Sequence, residues 1–557
     1  MRAPLICIVF FVTFDAHAGQ LVASKVAVAT ANRDASEAAV EILRSGGNAF
    51  DAAVTAALVL SVAEPQSSGI GGGGFATIYD ARMKQVRCLD FRERAPILSH
   101  RDLYVREGKA QPQLSQTGAL AVGVPGQIAG LIELHKKYGK KPLAQLFDPA
   151  VKLAQTGVTV SARLGSAFLS EAETLARFES TKSAWTKNNR FPETGGKWLQ
   201  PDLAKTLKAI QAGGLNAFYK GDIARRIVDT VVQNGGILAL VDLAEYEVKW
   251  REPVMTSYRG YSVFSQPPPS SGGVHLVELL NMLETKDPKA LGFHSPAMIH
   301  FAVEAMRRVY ADRATFLGDP GFTFVPVAGL VSKDYAKSLL ASIDMKSASK
   351  SEAVNAGKPD AFAEHKETTH FSIIDADGNA VAITTTVNGP FGSALVASGT
   401  GVLLNNQMDD FAIAPGVPNL YGLVGSEANS VAPRKTPLSS MTPTIVLKDD
   451  KVRWALGSPG GSTIITTVFW ALVHLIDFDA DVWSAIALPR VHEQWRPDHV
   501  SIERFGLDGL TQKALKDLGH TLKIDDDWGN AQIVGALPDG RRVGASDPRG
   551  DGSALGY

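Results

Sequence analysis

Glu367-Thr368-Thr369-His370-Phe371-Ser372-Ile373-Ile374-Asp375 is the stretch that decides the fold of this 557-residue chain. A polar segment, residues 358–366, precedes it, and a turn at Asp377-Gly378-Asn379 separates it from a second β-rich run, residues 380–387. This pattern predicts a two-stranded hairpin that opens on Thr368. A strand that starts on Thr behind a loop indicates a self-cleaving precursor, because the freed α-amine can act as general base for the Thr hydroxyl. The alternative is an ordinary hairpin with a Thr-rich edge, since Thr is common in strands.

Composition is typical of a globular protein with a large core. Apolar residues make up 45% of the chain, charged residues make up 20%, and the formal net charge is −1. The length predicts two or more packed layers and leaves the number of domains open. Without a basic stripe, a nucleic-acid or anionic-membrane partner is disfavoured.

The first 18 residues have the features of a signal peptide. Met1-Arg2 carries the positive charge, residues 5–14 are apolar, and Ala16-His17-Ala18 is a small-x-small cleavage site. The apolar run is too short to span a bilayer, so no membrane span is predicted. We expect an exported mature chain that begins at Gly19 and is periplasmic in a bacterium or secreted. The alternative is an unprocessed amphipathic tail.

Neither a disulfide nor a metal site is expected. The two cysteines are Cys7 and Cys88, and removal of the signal peptide leaves one. No His, Cys or Glu cluster has metal-ligand spacing, and there is no HExxH motif. We therefore expect no metal and no cofactor.

Helices and a glycine run precede the hairpin. The spacing predicts helices over residues 34–44 and 49–60, with Asn48 as the cap of the second helix, which is apolar nearly all round. Gly69-Ile70-Gly71-Gly72-Gly73-Gly74-Phe75 then leads into a predicted strand at residues 76–79. This run allows close backbone approach, and it is not a phosphate loop, because no Gly-Lys-Ser/Thr follows.

Helical patterns dominate residues 127–237, and strands dominate after Thr368. Pro267-Pro268-Pro269-Ser270-Ser271-Gly272-Gly273 is a stiff run whose simplest interpretation is a structural connector. A second hairpin is predicted from residues 444–447 and 452–456.

Five motifs in a fixed order resemble the γ-glutamyltranspeptidase (glutathione hydrolase) family of N-terminal-nucleophile hydrolases, in particular bacterial members with a lid loop. The resemblance runs from about Val26 to Tyr557. The motifs are Asp90-Phe91-Arg92-Glu93, Thr368-Thr369-His370, Asn405-Asn406-Gln407-Met408-Asp409-Asp410-Phe411, Pro437-Leu438-Ser439-Ser440-Met441 and Gly457-Ser458-Pro459-Gly460-Gly461-Ser462.

The resemblance implies an α/β (α+β) fold, a four-layer α-β-β-α sandwich in which the nucleophile strand is buried between two sheets. It also implies self-cleavage between Glu367 and Thr368. The expected organisation is a signal peptide (1–18), a large subunit (19–367) and a small subunit (368–557), with the two subunits associated.

In the predicted hairpin, the register places Thr386 opposite Thr368, within one residue. The matching family Thr orients the nucleophile, whereas the residues alone also allow a plain cross-strand pair. The resemblance implies that Gly460 and Gly461 form an oxyanion hole. Without the resemblance, Gly460 and Gly461 are interpreted as a turn that leads into a helix predicted from residue 463 to residue 475.

A γ-glutamyl group presents an α-carboxylate and an α-ammonium to its binding site. The carboxylate needs N–H and hydroxyl donors, and the ammonium needs acceptors. Taken alone, Arg92 fits a surface ion pair, and Ser439-Ser440 fits a turn before a strand. The resemblance implies that the carboxylate is bound by Arg92, Ser439 and Ser440, and the ammonium by Asn388, Gln407 and Asp410.

A loop at residues 415–425 resembles the family's lid, with Tyr421 as the gate residue. A lid favours small donors such as glutathione over polymeric γ-glutamate. Gly389-Pro390 departs from the more usual polar residues and leaves the preferred donor open.

The implied activity is cleavage of glutathione and related γ-glutamyl compounds through a γ-glutamyl ester on Thr368. The γ-glutamyl group then passes to water or to an amino acid or dipeptide. One rival is a glutaryl-type β-lactam (cephalosporin) acylase on the same fold. It is disfavoured because Asp410 suits an ammonium that glutaryl lacks. The other rival is a non-catalytic binding or scaffold protein, which would be expected to have lost Thr368 or the Gly460-Gly461 pair.

Overall fold

The structure, a computed structural model, describes residues 19–359 and 370–557. The predicted signal peptide and the predicted cleavage site between Glu367 and Thr368 lie outside the described residues, so both stay predictions.

Two seven-stranded sheets form the centre of the described part. The hairpin sheet contains, in spatial order, Ser553–Gly556, Ala27–Thr30, Phe371–Ile374, Ala380–Thr386, Gly73–Asp80, Gln85–Phe91 and Lys249–Arg251. The opposing sheet contains Leu21–Ala23, Arg542–Ser546, Gln532–Ala536, Lys451–Gly457, Thr444–Lys448, Tyr261–Ser265 and Val254–Tyr258. Short strands pair elsewhere: Val491–His492, Val500–Glu503 and Leu522–Asp525, Val105–Arg106 with Lys109–Ala110, and Val158–Thr159 with Lys197–Trp198.

The hairpin predicted from the sequence occupies the middle of its sheet. Phe371 pairs with Ile383 and Ile374 pairs with Ala380, in antiparallel register. Along Ala380–Thr386, Val381 and Ile383 face one core while Ala380 and Ala382 face another, as the two-residue period of a strand requires. Both faces are therefore buried, which explains the nearly continuous apolar and Thr sequence.

Helices cover the outer face of each sheet. The α-helices are Arg33–Arg44, Ala49–Ala63, Gln113–Gln116, Gln127–Tyr138, Leu143–Thr156, Ala162–Leu175, Glu179–Trp185, Pro201–Tyr219, Asp222–Gln233, Leu240–Ala244, Gly272–Glu284, Pro288–Leu291, Pro296–Phe316, Val327–Leu330, Lys333–Leu340, Ile464–Ile476, Val482–Ala487 and Gly509–Asp517. Single 3₁₀ turns lie at Ala119–Ala121, Ser351–Ala353, Gln407–Asp410, Glu427–Asn429 and Gly461–Thr463.

Three hydrophobic cores define the layers. One packs Ala49–Ala63 and neighbouring helices against Ile373 and Val381 of the hairpin sheet. Another packs Gly272–Glu284 and Ile464–Ile476 against the opposing sheet.

The third core lies between the sheets and is rich in alanine. Ala29 and Ala382 of the hairpin sheet meet Ala455 and Val534 of the opposing sheet. Small side chains allow the two sheets to approach closely. The order helix, sheet, sheet, helix confirms the predicted four-layer sandwich.

Local signals in the sequence are confirmed. Asn48 caps the helix Ala49–Ala63 through a capping box with Asp51, and every residue of that helix is buried. In the glycine run, a Cβ on Gly72 would lie 1.9 Å from the carbonyl oxygen of Thr386. Glycine is therefore required where this segment passes the end of the hairpin.

The proline run is more than a connector. Ser270 forms a parallel bridge with Ser439, and Ser270 Oγ donates to the carbonyl of Met441 at 2.9 Å. The run thus supports one of the predicted substrate-binding motifs.

Among residues 19–359 and 370–557, the structure contains no helix of sufficient length and hydropathy to cross a bilayer.

Candidate active site

A cavity of about 220 Å³ opens where the strand Ala380–Thr386 ends. It is lined by ten of the twelve residues predicted to form the site, and the other two, Glu367 and Thr368, lie outside the described residues. The ten are Arg92, Thr386, Asn388, Gln407, Asp410, Tyr421, Ser439, Ser440, Gly460 and Gly461.

Thr386 and Asn388 form the floor of the cavity at the strand end. The Thr386 Oγ1 accepts the Asn388 backbone N–H at 2.7 Å. Asn388 has a left-handed backbone, φ 78°, and its Nδ2 donates to the carbonyl of Asn406 at 3.0 Å. Because that N–H₂ is engaged, the Asn388 side-chain oxygen is left as the acceptor.

Arg92 and Asp410 form a buried ion pair in the cavity wall. Arg92 Nη2 lies 2.6 Å from Asp410 Oδ2, and the two side chains are 1% and 8% exposed. Arg92 Nε has no hydrogen-bond partner among the described residues. Burial raises the pKa of Asp410, and the adjacent guanidinium opposes that rise.

Gln407 lies next to this pair on the 3₁₀ turn Gln407–Asp410. Its Nε2 donates to Asp410 Oδ2 at 2.8 Å, and its Oε1 is buried without a hydrogen-bond partner in the described part of the chain. The turn therefore brings a carboxylate and an unpartnered amide oxygen, two acceptors, together in the wall of the cavity.

The Gly460-Gly461 pair precedes the helix Ile464–Ile476, which begins one residue later than predicted. Gly461 has φ +56°, and a Cβ on it would lie 2.3 Å from the ring of Tyr421. Glycine is thus required both by the backbone conformation and by the close approach of the lid.

The loop at residues 415–425, which the resemblance predicts to be a lid, is held against the cavity by hydrogen bonds. The Tyr421 hydroxyl donates to the carbonyl of Asn388 at 2.9 Å. Asn419 Nδ2 donates to Asp410 Oδ1 at 3.1 Å, and the Leu420 N–H donates to Asp409 Oδ2 at 2.8 Å. Burial raises the pKa of Asp409 to about 6. Two neighbouring carboxylates therefore anchor the lid.

Arg313, in the last turn of the helix Pro296–Phe316, lines the same cavity and was missed in the sequence. Its Nη2 donates to the Ser440 hydroxyl at 3.1 Å. A single Arg inside a helix has no sequence feature that distinguishes a cavity residue from a structural one. Pro390, from the Gly389-Pro390 departure, also lines the cavity.

His370 is the first residue of the second described range, 370–557. It is buried between Thr384 Oγ1 at 3.2 Å and Ser372 Oγ at 2.5 Å. Burial lowers the pKa of His370 well below its usual value, so the imidazole is neutral. It anchors the start of the hairpin.

Away from the cavity, His300, Glu304 and His520 meet in a cluster that the sequence spacing did not reveal. His300 Nδ1 lies 2.7 Å from His520 Nε2. Glu304 accepts from Arg308 Nη1 at 2.8 Å and from the Ser349 N–H at 3.0 Å. The cluster is a hydrogen-bonded histidine pair beside an ion-paired carboxylate.

Comparison with known proteins decides the family. The sequence matches the family model for Gamma-glutamyltranspeptidase over residues 35–557. The chain belongs to the gamma-glutamyltranspeptidase family. A glutathione hydrolase proenzyme of Escherichia coli (strain K12) is 44% identical over 533 residues, covering 95% of this chain and 91% of that protein.

Solved structures agree with the gamma-glutamyltranspeptidase assignment. A Helicobacter pylori gamma-glutamyltranspeptidase chain is 42% identical with a TM-score of 0.58, covering 59% of this chain and 94% of that one. A cephalosporin acylase from Bacillus halodurans is 26% identical with a TM-score of 0.86, covering 100% and 99%. The predicted family, fold and enzyme class are confirmed.

Proposed function

We propose that this protein is a self-processing enzyme that cleaves the γ-glutamyl amide of glutathione and related compounds and passes the acyl group to water or to an amino acid or dipeptide. One observation carries the proposal: a single cavity gathers Arg92, Asp410 and Ser439-Ser440 beside Thr386 and the Gly460-Gly461 turn. These are complementary groups for an amino-acid head and for an acyl-transfer centre.

Thr368 is the proposed nucleophile. Phe371 pairs with Ile383. An antiparallel register extended from this pair would place Thr368 opposite Thr386, as the sequence predicts. This continuation supports a role for Thr386 in orienting Thr368. Since Thr386 Oγ1 already accepts the Asn388 N–H, its own hydrogen can be donated to the nucleophile.

The proposed chemistry has two steps. The Thr368 hydroxyl attacks the γ-carbonyl carbon and gives its proton to its own α-amine, while the N–H groups of Gly460 and Gly461 stabilise the oxyanion. The leaving amine takes that proton as the C–N bond breaks, which leaves a γ-glutamyl ester. Water or an acceptor amine then attacks the ester and regenerates the hydroxyl.

The head group is proposed to insert between the charges of the Arg92–Asp410 pair. The α-carboxylate would take the free donors of Arg92 with Ser439 and Ser440. The α-ammonium would reach Asp410, the unpartnered Gln407 Oε1 and the Asn388 side-chain oxygen. A buried acceptor left without a donor costs about 1–3 kcal/mol, so the site favours a ligand that brings an ammonium.

Glutaryl-type acylase activity is the second candidate, because the Bacillus halodurans structure is that of a cephalosporin acylase. A glutaryl group brings no ammonium and would leave Gln407 Oε1 unsatisfied. The γ-glutamyl substrate therefore fits better.

Cleavage between Glu367 and Thr368 would create subunits 19–367 and 368–557 that stay associated. The name proenzyme of the E. coli relative supports processing. Shared packing of Ile373, Val381 and Ala49–Ala63 in one core supports association. The charged, apolar and small-residue pattern of residues 1–18 supports export, to the periplasm in a bacterium.

N-terminal sequencing of the purified protein and turnover of γ-glutamyl and glutaryl anilides test the proposal together. We expect a small chain that starts at Thr368 and a clear preference for the γ-glutamyl anilide. A single uncut chain without activity would support a non-catalytic scaffold instead.

A further inference from the structure

Arg313 brings a second guanidinium to the cavity that contains Arg92. It lies on the helix Pro296–Phe316 and is 5% exposed. Its Nε donates to Ser271 Oγ at 2.9 Å, and its Nη2 donates to Ser440 Oγ at 3.1 Å. One planar group thus bridges the proline run and the Ser439-Ser440 motif.

The direction of these hydrogen bonds is fixed by chemistry. A guanidinium only donates, so the hydroxyl oxygens of Ser271 and Ser440 accept. Ser271 then uses its own hydrogen to donate to the carbonyl of Ser439 at 2.9 Å, and its backbone N–H donates to the same carbonyl at 3.1 Å. The Ser439-Ser440 peptide is held at its carbonyl and at its second hydroxyl.

This arrangement fixes the direction in which the Ser440 hydroxyl donates its hydrogen. Because its oxygen accepts from Arg313, its hydrogen points elsewhere, and Ser440 lines the cavity. A carboxylate in the cavity would receive that hydrogen. The charge of Arg313 also acts on the cavity residue Asp410, because it is among the groups that oppose the burial-induced rise in the pKa of Asp410.

We propose that Arg313, with Ser271, is the positioning residue of the α-carboxylate subsite, holding Ser440 as a hydrogen-bond donor toward the substrate. The inference rests on the proposed function. It assigns Arg313 a role in substrate affinity, distinct from a purely structural tie between the helix and the proline run.

A double-mutant cycle tests this assignment through Ser440. The variants are Arg313→Gln, Ser440→Ala and the double variant, each first checked for two chains on a denaturing gel. We expect Arg313→Gln to raise KM for the γ-glutamyl anilide about tenfold or more and to change kcat less than about threefold. Adding Ser440→Ala to Arg313→Gln should then raise KM by less than a further factor of about three, because both changes remove the same contact.

Arg308 provides the matched control. It is a buried Arg of the same helix that bonds Glu304 and Ser342 and does not line the cavity. The effects of Arg308→Gln and Ser440→Ala on KM should multiply in the double variant, because the two residues share no contact. Ser271→Ala removes the bridging hydroxyl without leaving a charge change in the core, and it should raise KM about threefold or more. It therefore provides the test if Arg313→Gln fails to fold.

Two outcomes would overturn the inference: an unchanged KM in both Arg313→Gln and Ser271→Ala, or full multiplication of the Arg313→Gln and Ser440→Ala effects. Either result is distinct from failure of the proposed function, which would appear as a wild-type protein that does not turn over the γ-glutamyl anilide.

Discussion

Arg92 and Asp410, 318 residues apart in the chain, bind each other at 2.6 Å in the wall of the cavity. The family resemblance assigned them to opposite ends of one substrate, the carboxylate and the ammonium. In the structure, each forms an ion pair with the other. A zwitterionic head group can replace this pair without leaving a net buried charge, whereas a singly charged ligand cannot.

Removing either member of the pair should weaken turnover of the γ-glutamyl anilide. We expect Arg92→Ala and Asp410→Ala to lower kcat/KM at least ~30-fold, since loss of a buried charge partner costs about 2–5 kcal/mol. Asp410→Ala should tolerate a glutaryl anilide relatively better, and Arg92→Ala should not. Self-cleavage should persist in both.

Asp477, buried and paired with Arg259 outside the cavity, is the control. Asp477→Ala should lower stability and leave the ratio of γ-glutamyl to glutaryl turnover unchanged. If both cavity variants keep kcat/KM within about threefold of wild type, the charge-clamp hypothesis is wrong.

Self-cleavage depends on the Thr368 hydroxyl in our proposal. Purified protein should run as two chains, the smaller beginning Thr-Thr-His-Phe-Ser. Thr368→Ala should stay uncut and inactive, Thr368→Ser should still be cut, and Thr369→Ala serves as the neighbouring-hydroxyl control. Wild-type activity in Thr368→Ala would falsify the assignment of the nucleophile.

Much of the fold was predictable because its signals are local. The signals are the β-rich runs of Phe371–Ile374 and Ala380–Thr386 with the turn between them, the Asn48 cap and the glycine run, and each acts over a few residues. The resemblance added the long-range order of the layers. Most site residues came from the five motifs, and the resemblance also pointed to Thr386, Asn388 and Tyr421. Arg313, which lies in none of the motifs, was not found.

Arg313 shows why the rest was not predictable. Its partner Ser440 lies 127 residues away, and nothing in the helix Pro296–Phe316 indicates which of its polar residues face a cavity. The lid bond from Asn419 to Asp410 was missed for a different reason. Its two residues are close in sequence, but an Asn in a Pro/Gly-rich loop usually serves the turn itself.

The lid should depend on the fit between Tyr421 and Gly461. Tyr421→Phe removes the hydrogen bond to the Asn388 carbonyl, worth about 1 kcal/mol, and should lower kcat/KM for small donors about fivefold. Turnover of longer poly-γ-glutamyl donors should fall less, because the gate opens more easily. Leu420→Ala, which changes an exposed side chain of the same lid, should leave this size preference unaltered.

Stability should fall at alkaline pH because of Glu93. Its carboxyl is fully buried next to Arg92, and burial raises its pKa to about 8. A carboxyl whose pKa is raised in the folded state binds its proton more tightly there than in the unfolded chain. The stabilisation is therefore complete below the ordinary pKa, about 4.5, and is lost as the pH rises through about 8.

Glu93→Gln keeps the shape of the protonated side chain and does not titrate. The melting temperature of wild type minus that of Glu93→Gln should therefore drop between pH 5 and pH 9, by at least about 3 °C. Other titrating groups cancel in this difference. Glu173→Gln, an exposed change on the helix Ala162–Leu175, should give a flat difference over the same range. A flat difference for Glu93→Gln as well would mean that Glu93 is ionised in the folded protein and balanced by Arg92, contrary to the raised pKa.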